Sequence, residues 1–302
     1  MERLWAPWRL QYVEGGARQP ACIFCTKPAA GRDVEELILY RGKHAFLIMN
    51  LFPYNTGHVM AVPFQHAADL AELDEPTIAE LFSLIPWLTT AQRRALGCDG
   101  FNIGLNVGAV AGAGISDHLH VHVVPRWQGD ANFMPILANT MVIPELIPIT
   151  YAKLRGELEL SALVGGDPET VPQAGVIALL EPERQVLLRR AHDGTIVLPK
   201  GHVEPGEAAY RTALREAREE LGVQAQLLGW GGVLHFTLGG EQRRVVYFLA
   251  SAVPGPDFST HLGRDTLALP PAEAVEALTH ESARQLLHDA LVRLGLLPAH
   301  AC

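Results

Sequence analysis

Polar and apolar residues alternate without a break from His118 to Val123, where three histidines at every second position are separated by Leu119 and Val121. A two-residue period belongs to a β-strand, so as a strand this stretch sends three imidazoles to one face and the aliphatics to the other. Apolar runs predict further strands at Glu36–Tyr40 and Ala45–Met49, joined by a turn at Arg41-Gly42-Lys43, and a third at Gly57–Pro63. Between Pro76 and Leu96 the spacing changes to that of a helix, with Ile78, Leu81, Phe82, Ile85, Leu88 and Leu96 forming one stripe that can cover a sheet face. Pro86 lies inside it and is expected to kink or split the helix. Phe101–Val107 reads as a strand, and Gly108, Gly112 and Gly114 then form a loop whose backbone N–H groups can approach a phosphate closely.

Pro144–Arg155 predicts a helix, and Gly165–Pro172 breaks every periodicity, as a linker does. Beyond it, Ala174–Leu180 and Gln185–Arg190 predict a hairpin turning at Glu181–Arg184. A loop from Leu198 to Glu207 leads into a helix that ends near Leu221, with Gly222 as C-cap. Arg243–Ala252 reads as a strand and Glu281–Leu294 as a closing helix. At 302 residues the chain suits two domains, expected at 1–160 and 173–302 with 161–172 between them.

Composition narrows the classes. Net charge is −9, with 12 basic and 16 acidic residues up to position 165 and 12 and 17 beyond it. Neither half carries the basic footprint of a duplex nucleic-acid binder. No apolar run approaches the roughly 20 residues of a membrane span, and Met1-Glu2-Arg3-Leu4-Trp5 lacks the apolar core of a signal peptide. The expectation is a cytoplasmic protein with no membrane partner. In that setting the Cys22-x-x-Cys25 pair suggests zinc or redox chemistry rather than a structural disulfide.

Two groups of residues point to chemistry. Imidazoles two residues apart on a strand lie about 6.5 Å apart along the backbone, close enough to surround one anionic group, and can act as nucleophile, hydrogen-bond donor or metal ligand. Glu216, Glu219 and Glu220 stand at i, i+3 and i+4 on the predicted helix, which places three carboxylates on one face. Their mutual repulsion is relieved by a hard divalent cation such as Mg²⁺ or Mn²⁺. Arg215 and Arg218 are alternative partners for the same glutamates.

The triad resembles the histidine-triad (HIT) family pattern His-φ-His-φ-His-φ-φ. The likeness extends to Trp5-Ala6-Pro7-Trp8-Arg9, Asn50, Pro53-Tyr54-Asn55-Thr56-Gly57-His58, Gly100-Phe101-Asn102, Pro125-Arg126-Trp127 and Asn132-Phe133-Met134-Pro135, and together these look most like the bacterial branch that cleaves diadenosine tetraphosphate. The resemblance implies that His120 is the nucleophile of a nucleotidyl-histidine intermediate, that His122 contacts phosphate oxygens, and that His118 orients the strand through zinc or a hydrogen bond. It also implies that Asn50 holds ribose, that His58 and Asn106 lie near the phosphate, and that Cys22, Cys25, His66 and His118 hold structural zinc. Many members have a Gln-Ser pair in the glycine loop. Here Gly114-Ile115 stands there with Ser116 following, a departure at the donor to the leaving group.

Gly201–Val223 resembles the Nudix signature at each fixed position: Gly201, Glu207, Arg215, Glu216, Ala217, Glu219, Glu220, Gly222 and Val223. This implies magnesium held by Glu216, Glu219, Glu220 and the Gly201 carbonyl, with Glu219 or Glu220 as base and Glu207 paired to Arg215. Lys200 is expected to neutralise substrate phosphate. The expected fold is α+β in two domains, an antiparallel HIT-like sheet with helices and a C-terminal Nudix α/β/α sandwich. Both halves would cut phosphoanhydride bonds of nucleotides, with dinucleoside polyphosphates as the shared substrate class. The alternatives are a nucleoside phosphoramidase joined to a housecleaning or ADP-ribose pyrophosphatase, or one half acting as a nucleotide sensor. HIT proteins commonly pair, so a homodimer through that half is expected from the resemblance.

Overall fold

The computed structural model describes residues 21–130, 145–164, 172–238 and 241–299. The Trp5–Arg9 and Asn132–Pro135 motifs and residues 165–171 of the expected linker lie outside them. Residues 1–154 and 155–302 form two compact units.

The first unit is built on a five-stranded sheet of β1 (Ile38–Arg41), β2 (Ala45–Met49), β3 (Val59–Pro63), β4 (Gly100–Leu105) and β5 (Val121–Arg126). Its order is β1-β2-β3-β5-β4, and every neighbouring pair is antiparallel. All residues of β2 and β3 are buried. Covered on both faces, these strands read as continuous apolar runs rather than alternations. One cover is helix α1 (Ile23–Ala29), whose Phe24 packs with Ile38, Phe46, Ile48, Met60 and Val62. Another is helix α2 (Glu75–Leu96), which lies against β2 and β3 and buries Leu81, Leu84, Ile85 and Leu88. The Asp74 side chain caps its start by accepting from Thr77 N at 2.9 Å, and Gly97, at φ 65°, ends it.

Two expectations are corrected here. Pro86 does not split α2, which is assigned without interruption over 22 residues. A proline inside a helix costs about 3 kcal/mol, and each fully buried leucine or isoleucine of the stripe returns about 1.5–3 kcal/mol, so packing wins. The histidine strand is also shorter than its alternation suggests. β5 starts at Val121, so His118 and His120 precede the ladder and only His122 sits within it, opposite Gly104 on one side and Met60 on the other.

Helix α3 runs over Ile147–Val164, so residues 161–164, expected to begin the linker, are its last turn. The second unit holds a mixed sheet of β6 (Gln173–Leu180), β7 (Gln185–Arg190), β8 (Ile196–Val197), β9 (Lys200–His202), β10 (Val223–Leu238), β11 (Glu241–Pro254) and β12 (Thr266–Leu269). The main path is β10-β11-β6-β7-β12, with β8 on β7 and β9 on β6. The β6–β7 hairpin forms as predicted, while β6 and β11 run parallel. Helix α4 (Ala209–Leu221) covers one face beside β6. On the other, Ile177, Leu179, Val186, Leu188, Tyr247 and Leu249 pack with Ala283, Leu287, Ala290 and Leu291 of helix α7 (Glu281–Arg293). The short helices α5 (Phe258–His261) and α6 (Pro271–Ala277) complete the unit. The result is the expected α/β/α sandwich.

Candidate active sites

In the first unit, hydrogen bonding decides which nitrogen of each histidine carries the proton. A carbonyl only accepts, so His120 Nδ1, 2.9 Å from the His118 carbonyl oxygen, holds a proton and leaves Nε2 with its lone pair. The second chain runs the other way. The Tyr54 N–H donates to His58 Nδ1 at 3.1 Å, which puts the His58 proton on Nε2. That nitrogen lies 3.0 Å from His122 Nδ1, which must accept, so His122 carries its proton on Nε2. The rings of His120 and His122 are 4.8 Å apart. One presents a lone pair and its neighbour an N–H.

Burial keeps these rings neutral. It lowers the His58 pKa to about 3, helped by the charges that His122 and His120 would carry. It takes His122 to about 4, with His120 adding to the effect. His120 is lowered by burial, partly opposed by its bond to the His118 carbonyl. Near pH 7 all three are uncharged, the form in which imidazole is a nucleophile.

The remaining predicted residues divide. His58 is fully buried with both ring nitrogens engaged, and it stands directly behind His122. Asn50 is half-buried; its Oδ1 accepts from Phe52 N at 2.9 Å and its amide nitrogen lies 3.3 Å from His58 Nδ1. Asn106 follows directly after β4, where the register pairing Leu105 with Val121 brings it level with His120. Gly114 and Ser116 are exposed on the loop before the triad. Tyr54 stands in the Pro53–His58 motif and Phe24 between the paired cysteines, but sequence reasoning assigned neither a role of its own. Tyr54 stacks on His58 at 4.9 Å and lies 5.7 Å from His122, and only its place four residues before His58 hinted at this.

His118 makes a different set of contacts from His120 and His122. Its Nε2–H donates to the Pro63 carbonyl at 2.9 Å, which leaves Nδ1 free to bind. That nitrogen lies 3.3 Å from Cys22 Sγ, 3.6 Å from Cys25 Sγ and 3.2 Å from His66 Nδ1, and Cys25 Sγ is 3.4 Å from His66 Nδ1. All four ligand atoms fall within 4.8 Å of one another. Tetrahedral bonds of about 2.0–2.3 Å to nitrogen and sulfur give edges of about 3.3–3.8 Å, so the set fits a metal ion. A ligating histidine whose second nitrogen is pinned by a carbonyl is the usual supporting arrangement.

In the second unit α4 presents its carboxylates toward β9. Arg215 binds Glu207 at 3.1 Å, Glu216 at 2.6 Å and Glu219 at 3.1 Å, and also donates to the His202 carbonyl at 2.9 Å. Burial works against the Glu207 carboxylate, but Arg215, Thr212 and the Glu204 N–H together hold its pKa below the usual range. Glu220 pairs with Arg189 of β7 and accepts the Lys200 N–H at 3.0 Å. Its pKa is raised by burial and by Glu216, against the pull of Arg189 and Lys200.

All three glutamates have arginine partners, Arg215 for Glu216 and Glu219 and Arg189 for Glu220, so one of the two arginines expected from the sequence, Arg215, takes that place and Arg189 joins it. Among the described residues, the Cys/His cluster is the set of three or more ligands that converges. Glu216 and Glu220 fit a hard cation, because both are largely buried and Glu216 adds to the cost of charge on Glu220. Gly201 fits as well, since a Cβ there would collide with the Glu216 carboxylate. Lys200 is half-buried beside them. Arg189 was missed, because nothing in β7 marks it rather than Arg190 as the partner of a helix carboxylate.

The fold and sites thus define a two-unit α+β protein, with opposed histidine tautomers in one unit and an acidic helix face in the other. Residues 32–129 match the family model for the HIT domain, and residues 169–290 that for the NUDIX domain. The chain is 38% identical over 165 residues to a protein named AP-4-A phosphorylase from Mycobacterium tuberculosis (strain ATCC 25618 / H37Rv), covering 52% of this chain and 84% of that one. It is 34% identical over 113 residues to an uncharacterized HIT-like protein of Saccharolobus solfataricus, covering 37% of this chain and 79% of that one. A crystal structure of a hypothetical histidine triad nucleotide-binding protein from Sulfolobus tokodaii aligns at 28% identity with a TM-score of 0.40, covering 48% of this chain and 97% of that one. The chain belongs to the HIT family and carries a NUDIX domain after its HIT domain.

Proposed function

We propose that the protein cleaves phosphoanhydride bonds of dinucleoside polyphosphates, diadenosine tetraphosphate among them, at two centres with unrelated chemistries. The observation that carries this reading is the opposed protonation of His120 and His122. The His120 Nε2 lone pair attacks a phosphorus atom, an N–P bond forms, and the P–O bond to the leaving nucleotide breaks. The His122 Nε2–H donates to a phosphoryl oxygen as charge builds there. Phosphate or water then attacks the nucleotidyl-histidine and frees His120. Asn106, Gly114 and Ser116 flank the leaving group.

In the NUDIX domain Glu216, Glu219, Glu220 and the Gly201 carbonyl would hold magnesium or manganese, which would supply the charge that polarises phosphoryl oxygens and activates water. Glu219 or Glu220 would serve as the base, and Lys200 would meet substrate phosphate. Zinc held by Cys22, Cys25, His66 and His118 is structural. A homodimer forms through the HIT domain, where β4 lies at a sheet edge with Ile103 exposed. The protein is cytoplasmic and acts without membrane or duplex nucleic acid. Among the described residues, no helix is long and apolar enough to cross a membrane. Mass spectrometry after brief incubation with diadenosine tetraphosphate tests the first centre. An adenylyl adduct on His120 is expected, and an adduct on another residue contradicts the assignment.

A further inference from the structure

We infer that the Cys22-Ile23-Phe24-Cys25 turn positions the nucleophile, so that an ion held by the cluster aligns His120 from two sides. This rests on His120 being the nucleophile.

The first side is main chain. His118 sends its Nδ1 into the cluster, 3.3 Å from Cys22 Sγ, while its own carbonyl takes the Nδ1–H of His120 at 2.9 Å. An ion that fixes His118 therefore fixes the acceptor that selects the His120 tautomer. The second side is a ring. Phe24, between the two cysteines, is 1% exposed, and its centroid lies 5.4 Å from that of His118 and 5.0 Å from that of His120. With Nδ1 held by a carbonyl and one flank closed by Phe24, the His120 ring has little rotational freedom. Helix α1, which carries Phe24, has seven residues, too few to be stable alone. Its attachment depends on the burial of Phe24 and on the two sulfurs at its start. Phe24, Cys22, Cys25 and His66 are thus positioning residues that act on the nucleophile through His118 and through ring packing.

The test uses the full chain loaded with cobalt(II), whose absorption reports thiolate ligation. Phe24→Ala, the milder Phe24→Leu and Cys25→Ser are compared by the cobalt spectrum, by the ¹⁵N shifts of the His120 ring, and by kcat and KM for nucleotide cleavage without added magnesium or manganese. Phe24→Ala is expected to keep the cobalt spectrum. Its His120 shifts should move toward a mixture of both tautomers, and kcat should fall on the order of tenfold with KM within about twofold. Phe24→Leu should fall between it and the parent, and Cys25→Ser should change the spectrum and reproduce the His120 shifts. A single unchanged His120 tautomer with parental kcat, in either Phe24→Leu or Cys25→Ser, overturns the inference. Failure of the underlying reading is distinguishable: the parent would form no adduct on His120, while the ¹⁵N shifts would still report whether Phe24 and the cluster hold that ring.

Discussion

At the scale of single residues, the neutral histidines set the pH behaviour. The folded pKa values of His58 and His122, about 3 and about 4, lie below the roughly 6.5 of an unfolded histidine. Between those limits the unfolded chain binds more protons than the folded one, so the stability associated with burying both rings neutral is complete above about pH 6.5 and is lost as pH falls toward about 4 and then about 3. Thermal melts should therefore drop from pH 6.5 downward, and His58→Gln should flatten that slope; an equal slope in the variant would contradict the burial argument. Cleavage without added metal should persist through pH 6.5 and decline toward pH 4. In the other unit, Gly201→Ala drives a methyl into the Glu216 carboxylate. Magnesium-dependent turnover should fall on the order of tenfold or more while magnesium-independent turnover is unchanged, measured by product release. The histidine alternation was legible in the sequence, but the assignment of protons was not, because it depends on the Tyr54 N–H and the His118 carbonyl, main-chain groups that residue type does not mark. The contacts of Asn50 and His58 were not legible for a related reason: residue type alone does not show that Asn50 bonds Phe52 N or that His58 packs behind His122.

Elements were readable where one physical signal dominated. β2, β3, the β6–β7 hairpin and α4 followed from apolar runs, turn residues and a glycine C-cap. β10 was hidden, because Gly229, Gly231 and Gly232 imitate a loop. In the fold they accompany two register shifts, where extra residues are absorbed without ending the strand. α1 was hidden too, since its seven residues are too few to display a period and it is held by Phe24 and the sulfurs rather than by propensity. At the end of α4, Gly222 has φ 70°, and a Cβ there would meet His261 at 2.8 Å and the Phe258 backbone at 2.9 Å. Gly222→Ala should destabilise the second unit by about 1–2 kcal/mol, visible as a shifted urea midpoint with an unchanged slope. A midpoint within error of the parent would mean that the cap and its neighbours relax freely.

For the whole molecule, two family signatures in one chain made the two-unit organisation readable, while the competition for the acidic helix was not. Spacing showed three carboxylates on one face, yet Arg189 arrives from β7, over 30 positions earlier in the chain, and the match between them is purely tertiary. Under the proposed metal site, Arg189→Gln removes a cation that competes for Glu220, so Mn²⁺ should bind several-fold tighter in calorimetric titration; weaker or equal binding would argue against that competition. The central claim, that imidazole and carboxylate centres act separately, is tested most directly by analysing the products of diadenosine tetraphosphate from full-length His120→Ala and Glu220→Gln, with and without magnesium and phosphate. His120→Ala should lose magnesium-independent cleavage by on the order of 10³-fold or more and keep the magnesium-dependent reaction. Glu220→Gln should do the reverse, giving ADP plus ATP if phosphate is the acceptor and AMP plus ATP if water is. Loss of both activities in either variant, or survival of both, would contradict two independent centres.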